Sequence, residues 1–288
     1  MDGIISVLKP PAMSSSDVVV DIRRLFCQKR VGHTGTLDPG AAGVLPICIG
    51  RATRLFDYLV DKKKRYIFEI HFGTSTDTQD AYGKRIDTAC CDVSRAELEA
   101  VLPLFTGKQK QTAPMYSALK SGGRKLYDIA LAGDEIPDKI RELEIYELKI
   151  LDKTEKNRFL LEAECSKGTY IRTLCRDIGQ RLGLPAHMSF LLRSASGAFT
   201  IEGAHTIAEL GKMKERGQLE SAVVSCEAAL VGLDRVDLPK GRTEPMKNGL
   251  VTKVLGMADG AVRCYCGDVF MGVAKIQSEQ IKLAVHLY

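Results

Sequence analysis

The chain has 288 residues, of which 45% are hydrophobic and 27% are charged, as in ordinary globular domains. This length accommodates one large domain and one small domain. No apolar run approaches the ~18 residues of a transmembrane helix, and the N-terminus lacks the basic start and long apolar core of a secretory signal, so we expect no membrane association. The net charge of +5 permits a nucleic-acid partner without requiring one.

Cysteine usage indicates a reducing compartment. The nine cysteines form no CxxC pair, and an odd, scattered set is typical of reduced thiols in a cytoplasmic protein rather than of a disulfide framework. The five histidines show neither an HExxH nor an HxxxH pattern, so the sequence gives little support for a zinc site. We therefore expect a cytoplasmic protein without a bound metal.

The first part of the chain predicts strands and helices in irregular alternation. A strand at residues 3–8 precedes a helix from about residue 16, and a glycine-rich loop at 31–43 leads into a short buried strand. The next predicted elements are a helix at 51–61, a strand at 64–72, a polar loop at 73–83, a helix opened by the capping box of Ser94 and Glu97, and a long segment with proline and glycine at 109–123.

The middle of the chain continues this alternation. Its predicted elements are a helix at 125–133, strands at 142–151 and 158–165, a helix at 169–183 that Gly183 ends, a strand at 188–199, and a helix capped by Thr206 and Glu209. Because no regular βαβ period is present, the pattern favours an α+β fold, with a mixed, largely antiparallel sheet and flanking helices, over a doubly wound fold.

The last 55 or so residues have a different sequence pattern, which predicts short strands separated by frequent turns. The turn signals are Asn248-Gly249, Asp259-Gly260 and Gly267-Asp268. We predict a large domain at residues 1–232 and a small β-rich domain at 233–288.

The glycine-rich loop reads GHTGTLDPG and carries one carboxylate, Asp38. Gly35 and Gly40 have the glycine spacing of a P-loop, but alanines stand where lysine and serine or threonine are required. No GxSxG elbow occurs, so the sequence gives no local support for nucleotide hydrolysis or acyl transfer. Asp38 is then either a turn residue or a carboxylate that the loop presents to a substrate.

A buried aspartate is most naturally compensated by arginine, whose guanidinium offers two parallel hydrogen bonds. The segment SKGTYIRTLCR places Tyr170 and Arg172 at the start of a helix, where they could close over the loop that carries Asp38. From the residue pattern alone, Tyr66, Tyr170 and Arg172 could equally have purely structural roles.

Several segments together resemble the bacterial tRNA pseudouridine-55 synthases, the TruB family. They are, in chain order, GHTGTLDPGAAGVLPICIGRATRL, KRYIFEIHFGTSTDTQDAYG, APMYSALKSGGRKLYDIALAG, CSKGTYIRTLCRDIGQRLG and FLLRSASGAF. The segments cover roughly residues 3–200 in the family's order, and residues 233–288 are similar to a PUA-type RNA-binding domain. The resemblance implies the pseudouridine synthase fold.

It also implies a reaction, the isomerisation of uridine 55 in the T-loop of tRNA to pseudouridine. The N1–C1′ bond breaks, the base turns, and C5 bonds to C1′. The resemblance implies no cofactor and no metal. Its partner would be the tRNA T-arm, and we expect a monomer.

The resemblance assigns catalysis to three residues. Asp38 matches the catalytic aspartate, which acts either as a covalent nucleophile or as a base. Tyr66 matches the tyrosine that stacks on the target base, and Arg172 matches the arginine that pairs with the carboxylate and, as an opposite charge, holds it ionised. Asp80 matches an acidic residue of the same electrostatic network.

The remaining matched residues would bind substrate. Tyr170 and Leu191 match pocket residues, and Lys64 matches a lysine that serves either structure or the phosphate backbone. His33 matches a histidine that enters the T-loop beside the everted nucleotide. The basic cluster at residues 62–65 is a further candidate for phosphate contact.

Two other functions are compatible with this reading. One is a tRNA-binding or tRNA-folding protein with a vestigial site, and the other is a pseudouridine synthase that acts on another RNA. The presence of Asp38, Tyr66 and Arg172 argues against a vestigial site.

Overall fold

The computed structural model describes residues 1–60, 62–116 and 140–288, together with the backbone of two short strands at 120–121 and 124–125. The strands are β1 (Gly3–Lys9), β2 (Val31–His33), β3 (Ala42–Ile49), β4 (Lys64–Phe72), β5 (Thr74–Thr76), β6 (Arg85–Thr88), β7 (Gly107–Thr112), β8 (Lys120–Ser121), β9 (Arg124–Lys125), β10 (Ile140–Glu155), β11 (Arg158–Cys165), β12 (Ala186–Ser196), β13 (Phe199–Thr200), β14 (Asp234–Leu238), β15 (Thr252–Lys253), β16 (Gly260–Cys266), β17 (Val269–Gln277) and β18 (Gln280–His286).

The α-helices are α1 (Ser15–Leu25), α2 (Phe56–Val60), α3 (Arg95–Val101), α4 (Ile171–Arg181), α5 (Ile207–Glu215), α6 (Cys226–Ala229) and α7 (Thr243–Lys247). Capping boxes open α1, α3 and α5, so the two boxes predicted from Ser94 and Thr206 are confirmed. In the part of the chain that the structure describes, no helix is long and apolar enough to cross a membrane.

A nine-stranded sheet organises the first 200 residues, with the path β1-β3-β12-β4-β11-β10-β7 and with β2 and β13 attached to β3 and β12. Every pairing in this sheet is antiparallel except that of β3 with β12, which confirms the predicted mixed sheet. The parallel pair sets Arg193 beside Gly43, and the neighbouring antiparallel pair sets Arg193 beside Tyr66. This register brings the strand that carries Arg193 to the end of the glycine-rich loop.

Glycine is required at position 43 for two reasons. Its φ is +122°, in the region that favours glycine. A Cβ built there would also overlap the backbone of Arg193 on the adjacent strand. The close approach of β3 to β12 therefore depends on this residue.

Two helices cover one face of the large sheet. Val18 and Ile22 of α1 and Leu174 and Ile178 of α4 are fully or almost fully buried in the main apolar cluster. Alternate residues of β1 divide between the faces, because Ile5 joins this cluster whereas Ile4 joins a second cluster on the opposite side. The starts of both helices contact the loop around Asp38, through Ser15 of α1 and Arg172 of α4.

Residues 234–286 form a separate five-stranded sheet with the order β14-β16-β17-β18-β15 and its own apolar core. Val273 of this sheet shares the second cluster with Ile4, Leu55 and Leu59. Across the same junction, the Tyr265 hydroxyl donates to Glu227 over 2.5 Å. The small sheet is thus docked on the large one through apolar packing and a few polar contacts.

Three details differ from the sequence predictions. The predicted helix at 51–61 begins as a 3₁₀ helix, Gly50–Leu55, before it becomes α2, and part of the predicted loop at 109–123 is the edge strand β7. Asn248-Gly249 follows the short helix α7 rather than joining two strands, since a left-handed glycine also serves to end a helix. Most of the helix predicted at 125–133 lies outside the described residues.

Candidate active site

A cleft of about 270 Å³ opens where the glycine-rich loop meets the N-terminus of α4. Six of the predicted site residues line it, namely Asp38, Lys64, Tyr66, Tyr170, Arg172 and Leu191. They come from four separate parts of the chain, so their convergence depends on the sheet topology. The other two predicted residues, Asp80 and His33, lie next to the groups that line the cleft.

Asp38 and Arg172 form a bidentate ion pair. Arg172 Nε lies 3.0 Å from one carboxylate oxygen of Asp38, and its Nη2 lies 3.3 Å from the other. The Arg172 side chain is only 5% exposed, whereas that of Asp38 is 38% exposed. The carboxylate is therefore oriented from behind by the guanidinium and remains accessible from the cleft.

Other acceptors around Arg172 fix the plane of its guanidinium. Nη1 donates to the Thr78 carbonyl over 3.2 Å, and Nη2 donates to the Tyr116 carbonyl over 2.9 Å. An Asp80 carboxylate oxygen lies 3.8 Å from Nη1. Arg172 thus connects two carboxylates that are distant in sequence, as the predicted electrostatic network requires.

The pKa of Asp38 reflects competing effects. Burial raises it above its usual range, and the Arg172 charge lowers it without reversing the rise, while Asp80 adds to the rise and Lys9 opposes it. The Arg172 charge thus acts on the pKa of Asp38 in the direction that the sequence analysis expects, and burial acts against it. The Asp38 carboxyl therefore holds its proton more readily than a free aspartate does.

The loop before β3 is anchored on both sides of Asp38. Ser15, at the start of α1, accepts from the Leu37 amide over 2.9 Å and donates to the Leu37 carbonyl over 3.1 Å. Lys9, which is fully buried, donates to the carbonyls of Met13 at 2.6 Å and Pro39 at 3.2 Å. Burial lowers the pKa of Lys9 to about 8, and Asp38 opposes this shift.

Arg193 supports the same loop from the sheet below it. Its side chain is buried, and its guanidinium donates to the carbonyls of Val44 at 2.8 Å, Gly35 at 3.1 Å and Thr36 at 3.4 Å. Sequence reasoning missed Arg193 and Lys9 as site residues. A single arginine inside an apolar strand, as in FLLRSAS, is the signal that could have identified Arg193, since buried cations need specific partners.

Tyr66, Leu191 and Ile171 provide the apolar lining of the cleft. They are 9%, 8% and 3% exposed, respectively, so little water reaches them. Burial raises the pKa of Tyr66, and the nearby Arg193 charge opposes the rise. The phenol therefore remains protonated at neutral pH and presents an aromatic ring with a hydrogen-bond donor.

Tyr170 is held by its backbone at the N-cap of α4. The side chain of Gln111, which is 6% exposed, accepts from the Tyr170 amide over 2.8 Å and donates to the Tyr170 carbonyl over 3.1 Å. This reciprocal pair connects β7 to the start of the helix that carries Arg172. Gln111 was also missed, because no local pattern distinguishes it from other polar strand residues.

The basic cluster at residues 62–65 is largely engaged within the protein. Lys64 is 5% exposed, and its ammonium donates to the carbonyls of Val60 and Lys62, which favours the structural alternative for this residue. Lys63 and Arg65 each lie 3.0 Å from Glu164. The cluster thus presents less free positive charge than its sequence suggests.

His33 lies at the end of β2, directly before the loop. Its Nδ1 accepts from the Gly35 amide over 3.3 Å, which assigns the proton of the neutral ring to Nε2. Burial and the Arg193 charge lower the pKa of His33, so the ring is neutral at physiological pH. Its position at the loop is compatible with the predicted contact with RNA.

Fold and site together are those of a pseudouridylate synthase. The model of the TruB family pseudouridylate synthase N-terminal domain matches residues 23–171, and that of the tRNA pseudouridylate synthase B C-terminal domain matches residues 172–231. The chain belongs to the TruB family. The resemblance inferred from the motifs is confirmed.

Curated relatives cover nearly the whole chain. A tRNA pseudouridine synthase B of Geobacillus thermodenitrificans is 43% identical over 261 residues, covering 88% of this chain and 86% of that protein. A protein of the same name from Caldanaerobacter subterraneus subsp. tengcongensis is 40% identical over 285 residues, covering 98% of both.

A solved structure agrees with the fold. The structure of an H/ACA RNP bound to a substrate RNA containing 2′-deoxyuridine contains a chain with a TM-score of 0.75 and 25% identity. The match covers 99% of this chain and 84% of that one. The predicted α+β fold with a largely antiparallel sheet is confirmed.

Proposed function

We propose that this chain isomerises uridine 55 in the T-loop of tRNA to pseudouridine. The observation that carries the proposal is the Asp38 carboxylate, held bidentately by Arg172 and open to a cleft lined by Tyr66. The family and the names of the curated relatives support tRNA as the substrate.

In the proposed reaction Asp38 supplies the anion beside C1′. The N1–C1′ bond breaks, the detached uracil turns, C5 bonds to C1′, and the hydrogen on C5 leaves as a proton while N1 regains one. Asp38 acts either as the covalent nucleophile at C1′ or as a base, and its raised pKa suits both roles because a carboxylate of higher pKa is the stronger base and nucleophile. Arg172 orients it and stabilises its charge.

The cleft lining would bind the everted base. A uridine stacked in the T-loop hides C1′ and C5, so it must leave the stack at a cost of a few kcal/mol. Stacking on the Tyr66 ring would return ~1–3 kcal/mol. Leu191, Tyr170 and the buried Ile171 would exclude water, which otherwise competes for C1′.

Three further residues have supporting roles in this proposal. Asp80 would hold the far side of the Arg172 guanidinium, and His33 would contact the T-loop beside the everted nucleotide. Lys64 would support the start of β4, which carries Tyr66, through its carbonyl contacts.

We also assign residues 1–232 to a catalytic domain and residues 233–288 to a PUA-like RNA-binding domain. Supporting the second assignment, Lys275 and Lys282 are exposed and directly opposite each other on β17 and β18. Like charges in that arrangement destabilise a sheet, and a polyanion would relieve them. Replacing both lysines with glutamine should weaken tRNA binding and reduce its salt dependence; unchanged binding would argue against this surface.

We further infer that the protein acts as a cytoplasmic monomer. All nine cysteines lie in the described residues and none forms a disulfide, which suits a reducing compartment. Light scattering at micromolar concentration would test the monomer, and a constant dimer mass would contradict it.

Release of tritium tests the function directly. A tRNA transcript carrying 5-tritiated uridine should lose tritium to water when the enzyme acts, because C5 gives up its hydrogen. A transcript with cytidine in place of uridine 55 should show no release. Binding of tRNA without release would favour a tRNA-binding or folding protein, and full release from the cytidine transcript would favour another target uridine.

A further inference from the structure

Tyr82 is an exposed aromatic residue beside the loop that carries Asp38. It lies in the turn between β5 and β6 and is 75% exposed, the largest value among the exposed large hydrophobic residues that the structure describes. Single exposed hydrophobic residues are common on protein surfaces. The position of Tyr82 relative to the catalytic loop distinguishes it from such residues.

The turn that carries Tyr82 is attached to the Asp38 and Arg172 pair. The Tyr82 amide donates to an Asp80 carboxylate oxygen over 3.0 Å, and the Thr78 hydroxyl donates to the same oxygen over 2.6 Å. The other oxygen of Asp80 lies 3.8 Å from Arg172. Tyr82 is thus connected to the catalytic pair through one rigid carboxylate.

The ring of Tyr82 lies against Gly40, two residues after Asp38. A Cβ built on Gly40 would overlap ring atoms Cδ2, Cε2 and Cζ, so the ring edge occupies the space that a side chain there would need. Gly40 does not have a positive φ, so its backbone does not require glycine. Contact through one edge, with three quarters of the residue exposed, leaves the ring faces accessible.

We propose that Tyr82 stacks on a base next to the uridine that enters the cleft. This inference rests on the proposed function and adds a second base-binding position. Everting one nucleotide breaks its stacking on both neighbours, and an aromatic face beside the catalytic loop can replace one of these contacts. Lys84 and Arg85 of the same hairpin are also exposed, and they form no ion pair with any residue that the structure describes. They provide positive charge for the phosphates of a bound RNA.

Fluorescence provides a direct test, because the chain contains no tryptophan. Tyr82→Trp introduces a single indole at the proposed stacking position. Its emission should be quenched when tRNA binds, and the quenching should disappear when the nucleotide on one side of the target uridine is made abasic. Two results would overturn the proposal. One is quenching that persists both when the 5′ neighbour and when the 3′ neighbour of the target uridine is made abasic, and the other is tRNA binding without any quenching.

Kinetics give an independent test. Because stacking contributes to binding both before and during the reaction, Tyr82→Ala should raise KM for tRNA at least about fivefold with little change in kcat. Tyr82→Phe should behave like the wild type, since the ring is retained. Ile86→Ala removes another exposed hydrophobic side chain, 68% exposed, from the same hairpin and serves as the matched control. Equal effects of Tyr82→Ala and Ile86→Ala would contradict a stacking role.

The contact with Gly40 allows a double-mutant cycle. Gly40→Ala should displace the ring and raise KM, whereas in the Tyr82→Ala background it should add little. Additive effects would show that Gly40 acts independently of the ring. All variants should be compared with wild-type protein that releases tritium; failure of the wild type to do so would count against the proposed function, not against this contact.

Discussion

The two sheets of this protein bury different kinds of residue. All the buried lysines and arginines of the described residues, Lys9, Lys64, Arg172 and Arg193, belong to the large sheet or its helices. In the small sheet at 234–286, the buried residues are hydrophobic, without a charged side chain. The small sheet is therefore stabilised by ordinary apolar packing, whereas the large sheet keeps dehydrated cations around one cleft.

This difference indicates that the large sheet, and not the small one, carries the free-energy cost of burying charged groups near a cleft. Dehydrating a cation costs several kcal/mol unless hydrogen bonds and opposite charge compensate it. Arg193 and Lys9 receive that compensation from carbonyls of the loop around Asp38. The same contacts that satisfy the cations also hold the loop around the Asp38 carboxylate.

The largest effect is expected from Arg172→Ala. The substitution leaves Asp38 and Asp80 without their shared cation, so kcat should fall by about 10²- to 10³-fold. The free energy of unfolding should fall by about 3 kcal/mol, which is the lower end for a broken buried ion pair because the Asp38 side chain is 38% exposed. Tritium release and chemical denaturation measure the two effects. Arg235→Ala, which removes an exposed arginine of the small sheet, should change neither by a comparable amount.

Arg193→Met tests whether the loop depends on support from the sheet. Removing three donors from the carbonyls of Gly35, Thr36 and Val44 should let Asp38 shift, and a displacement of about 1 Å can lower kcat by about 10²-fold. The kcat of Arg193→Lys, which keeps the charge and some of the hydrogen-bond donors, should lie between that of the wild type and that of Arg193→Met. A normal kcat in both variants would mean that the loop holds its shape without Arg193.

Met271→Ala tests the small sheet. Met271 is fully buried in its apolar core, so the substitution should lower the free energy of unfolding by about 2–5 kcal/mol. At a temperature where the variant remains folded, kcat at saturating tRNA should be unchanged, since no residue of this sheet lines the cleft. Loss of kcat under those conditions would show that the two sheets are coupled.

The smallest effect concerns pH. In the proposed reaction Asp38 must be ionised, and its pKa is raised, so single-turnover release should decline with falling pH at values above the ordinary 3.8 of an aspartate. Filter binding of tRNA at each pH distinguishes this decline from unfolding. A rate that stays constant down to the ordinary pKa range would contradict a buried catalytic carboxyl.

The sequence was informative about elements and about matched motifs. Periodicity identified β1, β4, β10, β11 and α4, and the capping boxes identified the starts of α3 and α5. It missed β7, whose residues GKQKQT are polar because they form the edge of the sheet, where one side has no partner strand.

Contacts between distant segments were harder to anticipate. The residue pattern left the pairing of Asp38 with Arg172 as an open possibility and only the family resemblance assigned it, because 134 positions separate the two residues along the chain. Arg193, Lys9 and Gln111 act through backbone carbonyls and amides, which leave no trace in side-chain patterns. The sign of the Asp38 pKa shift depends on how deeply the fold buries the carboxyl, a quantity that a motif does not contain.

Asp38→Asn tests the central claim most directly. The variant should bind tRNA as tightly as the wild type and release no tritium from 5-tritiated uridine. Thermal denaturation of the variant checks that the loss of release is not a loss of folding, since Arg172 keeps its contacts with the Thr78 and Tyr116 carbonyls and with Asp80. Tritium release at the wild-type rate from a folded Asp38→Asn protein would contradict the assignment of the chemistry to this carboxylate.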